Sequence, residues 1–293
     1  MRDTSVGIGY LWLMTQTTHD DGLDFPQKWE LRRNQEGFYE FIEPLWSDEV
    51  EDHFDDAYEA QEDGDMETAE AMLREGLEDH PEYLDGWLLL ANLYFDLDQP
   101  EKRLKVTQHA VEVLQDLLPD DFDPTNCKLP WDHDGSAILL RTLYTHACAL
   151  ADMSEYEAAL HILEDLLLLD PEDNQGSRYL LPGIYLELDS AHKIIELRTK
   201  FPEDCGADLL WNLPLAYLQM GQQNQAVEAI RNAQELSPRV GSELLRKEHK
   251  APRSLPIDGI EVGSEHEAYA YFLDAGDLWK NIPGAMNLLR ATL

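Results

Sequence analysis

The stretch WNLPLAYLQMGQQNQAVEAIRNAQELSP, residues 211–238, decides the fold of this 293-residue chain. Small and apolar residues recur at helical spacing in both of its halves. Gly221 separates the two halves, and Pro238 closes the second. Glycine readily adopts the left-handed conformation of a tight turn, whereas proline cannot continue a helix interior. The pattern therefore predicts two helices that are joined by a short turn and ended by a proline.

The same pattern recurs twice upstream, in residues 63–83 and in residues 152–173. Each copy has a small residue, an apolar residue four positions later and a closing proline. These positions are Ala69, Leu73 and Pro81; Ala159, Leu163 and Pro171; and Ala226, Ile230 and Pro238. The small residues allow the two helices to approach closely, and the larger ones fill the space between them.

Two further copies are weaker. One has Trp87 in its first helix but Arg103 and Thr107 at the small and large apolar positions of its second helix, which is therefore atypical. The other, residues 175–202, is short by a few residues, and we place the shortening in the turn between its helices. Five repeats thus cover residues 50 to about 238.

These spacings resemble the tetratricopeptide repeat, a 34-residue helix-turn-helix unit. The resemblance implies an all-α fold, a right-handed superhelix (α-solenoid) in which repeats stack because one repeat cannot hide its own apolar face. We predict helical caps at both ends of the array. Residues 1–47 would form the N-terminal cap, 48–238 five repeats with an inserted loop at about 117–138, and 239–293 a basic linker and C-terminal capping helices.

The last sixty residues carry a second resemblance. The run from SPRVGSELL through KEHKAPRSLP to GSEHEAYAYFLDAGDLWKNIPGAMNLL is similar to the C-terminal region of the suppressor of tumorigenicity seven family and its bacterial relatives. This resemblance implies a repeat-built protein with no established chemistry. Within the run, Ser264 and Glu267 have the spacing of a capping box at a helix start.

The charge is strongly negative: 59 Asp and Glu residues against 22 Lys and Arg residues give a net charge of -37. Residues 48–80 alone hold fifteen acids and one base, Arg74. Such a surface repels nucleic acid and anionic membranes and attracts basic proteins or peptides. Solubility or adaptation to a salty cytoplasm would explain the same excess of carboxylates.

No catalytic or cofactor signature is present in the sequence. The three cysteines form no CxxC motif, which favours a reducing compartment. Residues 168–185, LLDPEDNQGSRYLLPGIY, meet neither the calcium-loop nor the phosphate-loop pattern, so we interpret them as the joint between two repeats. We expect a cytoplasmic, non-catalytic protein without cofactor or metal. The apolar residues 6–14 are too few to span a bilayer and are interpreted as a buried helix or strand.

The concave face is the predicted binding site. Positions 2, 5, 9 and 12 of each first helix would line a groove that holds a basic, partly apolar peptide or protein segment. The predicted groove residues are Phe54, Tyr58, Leu88, Asn92, Arg141, Tyr144, Tyr179 and Trp211.

Two other functions stay open at this point. The Asp-rich loop at residues 120–134 would serve a metal-dependent enzyme, and self-association would make the chain a structural component. The groove is also open to another interpretation, in which it is narrow and its aromatic rings pack on neighbouring helices or on residues 1–47 folded inside it. The sequence identifies neither the partner nor the oligomeric state.

Overall fold

The computed structural model describes residues 28–33, 39–120, 122–129, 131, 134–253 and 260–293. Within them lie a two-stranded antiparallel sheet and thirteen helices. The elements are β1 (Glu30–Arg33), β2 (Tyr39–Ile42), α1 (Asp48–Glu62), α2 (Met66–Asp79), α3 (Leu84–Asp96), α4 (Pro100–Leu117), α5 (Asp134–Asp152), α6 (Tyr156–Leu169), α7 (Ser177–Glu187), α8 (His192–Lys200), α9 (Ala207–Gln219), α10 (Gln223–Leu236), α11 (Pro238–Leu244), α12 (Glu265–Asn281) and α13 (Ala285–Thr292).

These residues form two compact units, of which unit 1 ends at Ser177 and unit 2 runs from Arg178 to Leu293. In unit 1 each helix from α1 to α6 packs against the next, and α3 also contacts α1 and α5. In unit 2, α9 packs on α8, α10 and α12, while α10 also contacts α11 and α13.

The turn inside each of the five helix pairs has the same backbone geometry. Its left-handed residues are Gly64 (φ 83°), Asp98 (φ 53°), Ser154 (φ 61°), Asp189 (φ 52°) and Gly221 (φ 72°). In every pair the next residue donates its N–H to the carbonyl five positions earlier. These bonds, 2.7 to 2.9 Å long, join Asp65 to Ala60, Gln99 to Tyr94, Glu155 to Leu150, Ser190 to Tyr185 and Gln222 to Tyr217. This bond satisfies a carbonyl that the end of the first helix would otherwise leave unbonded. The first helix can therefore end within a short turn.

The second helix of each pair ends before a proline, as predicted. The residue in front of that proline has φ between -119° and -133° and ψ between 67° and 89° in four of the five pairs; these residues are His80, Asp170, Phe201 and Ser237. The ring of a proline disfavours helical geometry in the residue before it. The chain therefore leaves the helix at this point.

Residues 168–185 form a joint between helices, as predicted from their sequence. Two acids in this joint cap backbone groups: an Asp170 carboxylate oxygen accepts the N–H of Asn174 at 2.6 Å, and Asp173 accepts the N–H of Ser177 at 2.8 Å. Because their carboxylates accept backbone N–H groups, Asp170 and Asp173 act as turn and helix caps.

The predicted packing positions are buried. Ala159, Leu163, Ala226 and Ile230 have no exposed surface. At its two atypical positions, α4 is joined to α5 by polar pairs. Arg103 forms an ion pair with Asp152, and the Thr107 hydroxyl lies 3.0 Å from Nδ1 of His146.

The fourth helix pair differs from its prediction. Its turn has the same left-handed closure as the others, at Asp189. The shortening lies instead in the helices, because α7 has 11 residues and α8 has 9.

The predicted N-terminal helical cap is wrong for the residues that the structure describes. Residues 30–33 and 39–42 form an antiparallel hairpin in which Leu31 pairs with Phe41. The apolar residues 6–14 lie outside the described residues.

The C-terminal segment is helical, as predicted. Ser264 caps α12 by accepting the N–H of Glu267 at 3.1 Å. The Glu267 carboxylate has a further role, since it accepts the N–H groups of Ala207 (2.9 Å) and Gly263 (2.6 Å) and lies 3.2 Å from the hydroxyl of Ser237. One side chain thus ties α12 to the start of α9 and the end of α10.

Candidate functional site

The eight predicted groove residues all lie on the first helices of the five pairs. They are Phe54 and Tyr58 on α1, Leu88 and Asn92 on α3, Arg141 and Tyr144 on α5, Tyr179 on α7 and Trp211 on α9. The first six belong to unit 1 and the last two to unit 2.

Three of the eight are core residues and do not line an open surface. Phe54 is 1% exposed and stacks on Tyr83 with ring centroids 4.4 Å apart. Leu88 is 4% exposed, and Trp211 is fully buried against Trp279 of α12. Tyr83 stacks on Phe54 and Trp279 packs against Trp211, and the helix register reveals neither contact.

Four predicted residues are half-buried and lie on neighbouring helices of unit 1. Tyr58 and Asn92 hold the same position on α1 and α3, which contact each other, and Tyr144 and Arg141 lie on the adjacent α5. Arg141 is joined across to Asp85 of α3 by an ion pair of 3.4 Å. We call Tyr58, Asp85, Asn92, Arg141 and Tyr144 the strip. Asp85 was not among the residues predicted from the sequence. It holds on α3 the position that Arg141 holds on α5.

One helix of the strip, α1, carries negatively charged side chains but neither Lys nor Arg. It holds eight Asp and Glu residues, all exposed. Burial raises the pKa of Asp55, and the like charges of Asp52 and Asp56 raise it further. Burial also raises the pKa of Tyr58, whose hydroxyl bonds Glu62. Like charges that raise the pKa of a carboxylate in this way indicate a negative local potential.

Tyr179 in unit 2 is engaged locally. Its hydroxyl donates to Asp204 at 2.9 Å, and the guanidinium of Arg178 lies 4.4 Å from its ring centroid. Burial and the bond to Asp204 raise the pKa of Tyr179 to about 12. Its ring also limits the space at Gly206, where a Cβ would come within 2.7 Å of it.

The basic cluster before α12 bonds within unit 2. Arg246 pairs with the buried Glu243 at 2.6 Å, and His249 Nδ1 lies 2.9 Å from the same carboxylate. Arg239 donates to the carbonyl of Gly263.

Residues 207–240 match the family model of the tetratricopeptide repeat. This segment is a tetratricopeptide repeat. Two solved structures each resemble about two thirds of the chain. "Crystal structure of MamA protein" has a TM-score of 0.50 at 17% identity, over 67% of this chain and 96% of that one. "MamA RS-1 ArsTM double mutant" has a TM-score of 0.52 at 13% identity, over 66% and 97%. At such identities the likeness concerns the fold, and it confirms the predicted all-α tetratricopeptide-repeat solenoid. Among curated proteins, none matches the sequence.

Two features are absent from the described residues. In that part of the chain no helix is both long and apolar enough to cross a bilayer. The same residues place no three His, Cys, Asp or Glu side chains together so that they could hold a metal ion. Three members of the Asp-rich loop, Asp121, Asp132 and His133, lie outside the described residues.

Proposed function

We propose that this protein is a non-catalytic protein–protein interaction module, and that the strip of unit 1 binds a basic, partly apolar segment of a partner protein. The fold supports the general function, because stacked helical repeats create extended surfaces that bind other proteins. The specific site is argued from the strip and its surroundings.

One observation carries the proposal: the strip combines two half-buried tyrosines with a helix, α1, that exposes eight carboxylates and neither Lys nor Arg. Tyrosine provides a large, rigid contact area and is enriched in binding hot spots. The carboxylates attract a basic segment over long range and disfavour an acidic one. Recognition of an acidic tail is disfavoured further because Arg141, the base on the strip, already pairs with Asp85.

The test is a peptide-binding titration. A fluorescent peptide of alternating Lys and Leu residues would be titrated with the full chain and followed by anisotropy, with a Glu/Leu peptide as the charge control. We expect only the basic peptide to bind, and to bind more weakly at high salt because screening weakens exposed charge pairs.

Matched variants locate the site. Tyr58→Ala and Tyr144→Ala should each weaken binding roughly tenfold, as truncation of a hot-spot tyrosine does. Tyr156→Ala is the control, because Tyr156 is equally half-buried in unit 1 but lies on the second helix of its pair. Equal losses in all three variants, or none in any, would refute a site at the strip.

The domain organisation belongs to the same proposal. Residues 48–238 would provide the binding array, 1–47 and 239–293 its ends, and the cytoplasm its location. The similarity of the last sixty residues to the suppressor of tumorigenicity seven family stays a prediction.

A further inference from the structure

The hairpin of β1 and β2 carries two aromatic anchors that are buried within unit 1. Trp29 is 4% exposed and Phe41 is fully buried. Their rings stack with centroids 4.6 Å apart and an interplanar angle of 12°. Isolated two-stranded hairpins are at best marginally stable in water. The order of this hairpin therefore depends on the surface to which it is docked.

That surface recognises the hairpin largely through main-chain groups. The N–H of Tyr39 donates to the carbonyl of Lys128 at 3.0 Å, and Nε1 of Trp29 donates to the carbonyl of Glu82 at 3.0 Å. The N–H of Phe41 donates to the hydroxyl of Ser136 at 3.2 Å. Two of these three bonds come from strand N–H groups, which any extended segment can supply.

Gly135 makes this close docking possible. A Cβ at this position would lie 1.8 Å from the carbonyl oxygen of Phe41 and 2.7 Å from its carbon. Any other residue would therefore push β2 off the start of α5. The φ of Gly135 is not in the left-handed region, so close approach accounts for the glycine rather than backbone conformation.

We infer that Glu82, Lys128, Gly135 and Ser136 form a binding site for an extended peptide with an aromatic anchor, and that the chain's own residues 28–33 and 39–42 occupy it as an intramolecular ligand. Peptides that add strands bind through main-chain bonds, with pockets for alternate side chains that provide specificity. A partner strand with Trp or Phe at the anchor position can replace the hairpin. This site lies at the starts of α3 and α5 and does not depend on the strip.

The test removes the anchors and leaves the site intact. The full chain carrying Trp29→Ala and Phe41→Ala would be titrated with a labelled peptide of the chain's residues 28–43. We expect the double variant to bind the peptide at least ten times more tightly than the wild type, whose site is occupied. Two controls should abolish binding: a peptide with both aromatics replaced by Ala, and Gly135→Ala added to the double variant.

Failure of the folded double variant to bind the peptide better than the wild type would overturn the inference. If the variant does not fold, hydrogen exchange on the wild type decides. Exchange of the Tyr39 and Phe41 amides well before those of α5 supports a hairpin that leaves its site, whereas exchange together with α5 refutes it. The Lys/Leu peptide titration tests the strip independently, so the two proposals can fail separately.

Discussion

Replacing Gly221 with alanine isolates the contribution of the left-handed turns. Gly221 has a φ of 72°, and no atom lies within 4 Å of where its Cβ would be. The substitution therefore introduces backbone strain without a steric clash. An L-residue in this conformation costs about 1–2 kcal/mol, and alanine returns about 0.4–1 kcal/mol by restricting the unfolded chain. We expect Gly221→Ala to lower the free energy of unfolding by about 1 kcal/mol.

Gly183→Ala is the matched control in the same unit. Its Cβ would also meet nothing within 4 Å, but Gly183 lies inside α7 with an ordinary φ. Alanine in a helix interior should stabilise by roughly 0.5–1 kcal/mol. Urea denaturation followed by circular dichroism should therefore separate the two variants by roughly 1.5–2 kcal/mol. If Gly221→Ala is as stable as Gly183→Ala, the left-handed closure is not what holds the turn.

Three other predictions concern polar groups in the two units. Glu267→Gln cannot accept all of the bonds of the carboxylate and should destabilise the chain by about 1–3 kcal/mol in urea denaturation. Burial, with the charges of Asp274 and Glu267, raises the pKa of Asp208 to about 8. The folded chain then retains a proton that the unfolded chain releases above pH 3.8. The free energy of unfolding should therefore fall as the pH rises from 3.8 to about 8. Asp208→Asn should flatten this dependence of stability on pH. Burial lowers the pKa of His146 to about 4, so stability should be lost as the pH falls from 6.5 to about 4, and an NMR titration should find the ring neutral at pH 5.5.

The helix pairs could be predicted because local chemistry determines them. Gly221 and Pro238 define the ends of their helices through backbone conformation alone, and Ala226 is small enough for close helix contact. Asp98 and Ser154 occupy the same left-handed position as Gly221, but their residue types do not require it. The sequence therefore revealed the turn clearly only where glycine marks it.

The parts that could not be predicted depend on distant contacts. Trp211 was assigned to the groove, yet it is buried by Trp279, 68 positions later in the chain. The hairpin docks β2 onto Ser136, 95 residues away, and its four-residue strands are too short for a periodic signal. Of the predicted site, the half-buried Tyr58, Asn92, Arg141 and Tyr144 stay candidates, because they are not core residues as Phe54, Leu88 and Trp211 are.

The bonds of Glu267 have a consequence for dissecting the protein into fragments. Residues 207–240, which match the repeat family, depend on a carboxylate that lies 60 residues beyond Ala207. A fragment that stops at Leu244 would leave the N–H of Ala207 and the hydroxyl of Ser237 without this acceptor and would remove the partner ring of Trp211. In a series of C-terminal truncations, folding should therefore be lost abruptly once α12 is cut, rather than decline helix by helix. For expression and design, the last repeat therefore does not end at its proline, because it needs α12 as well.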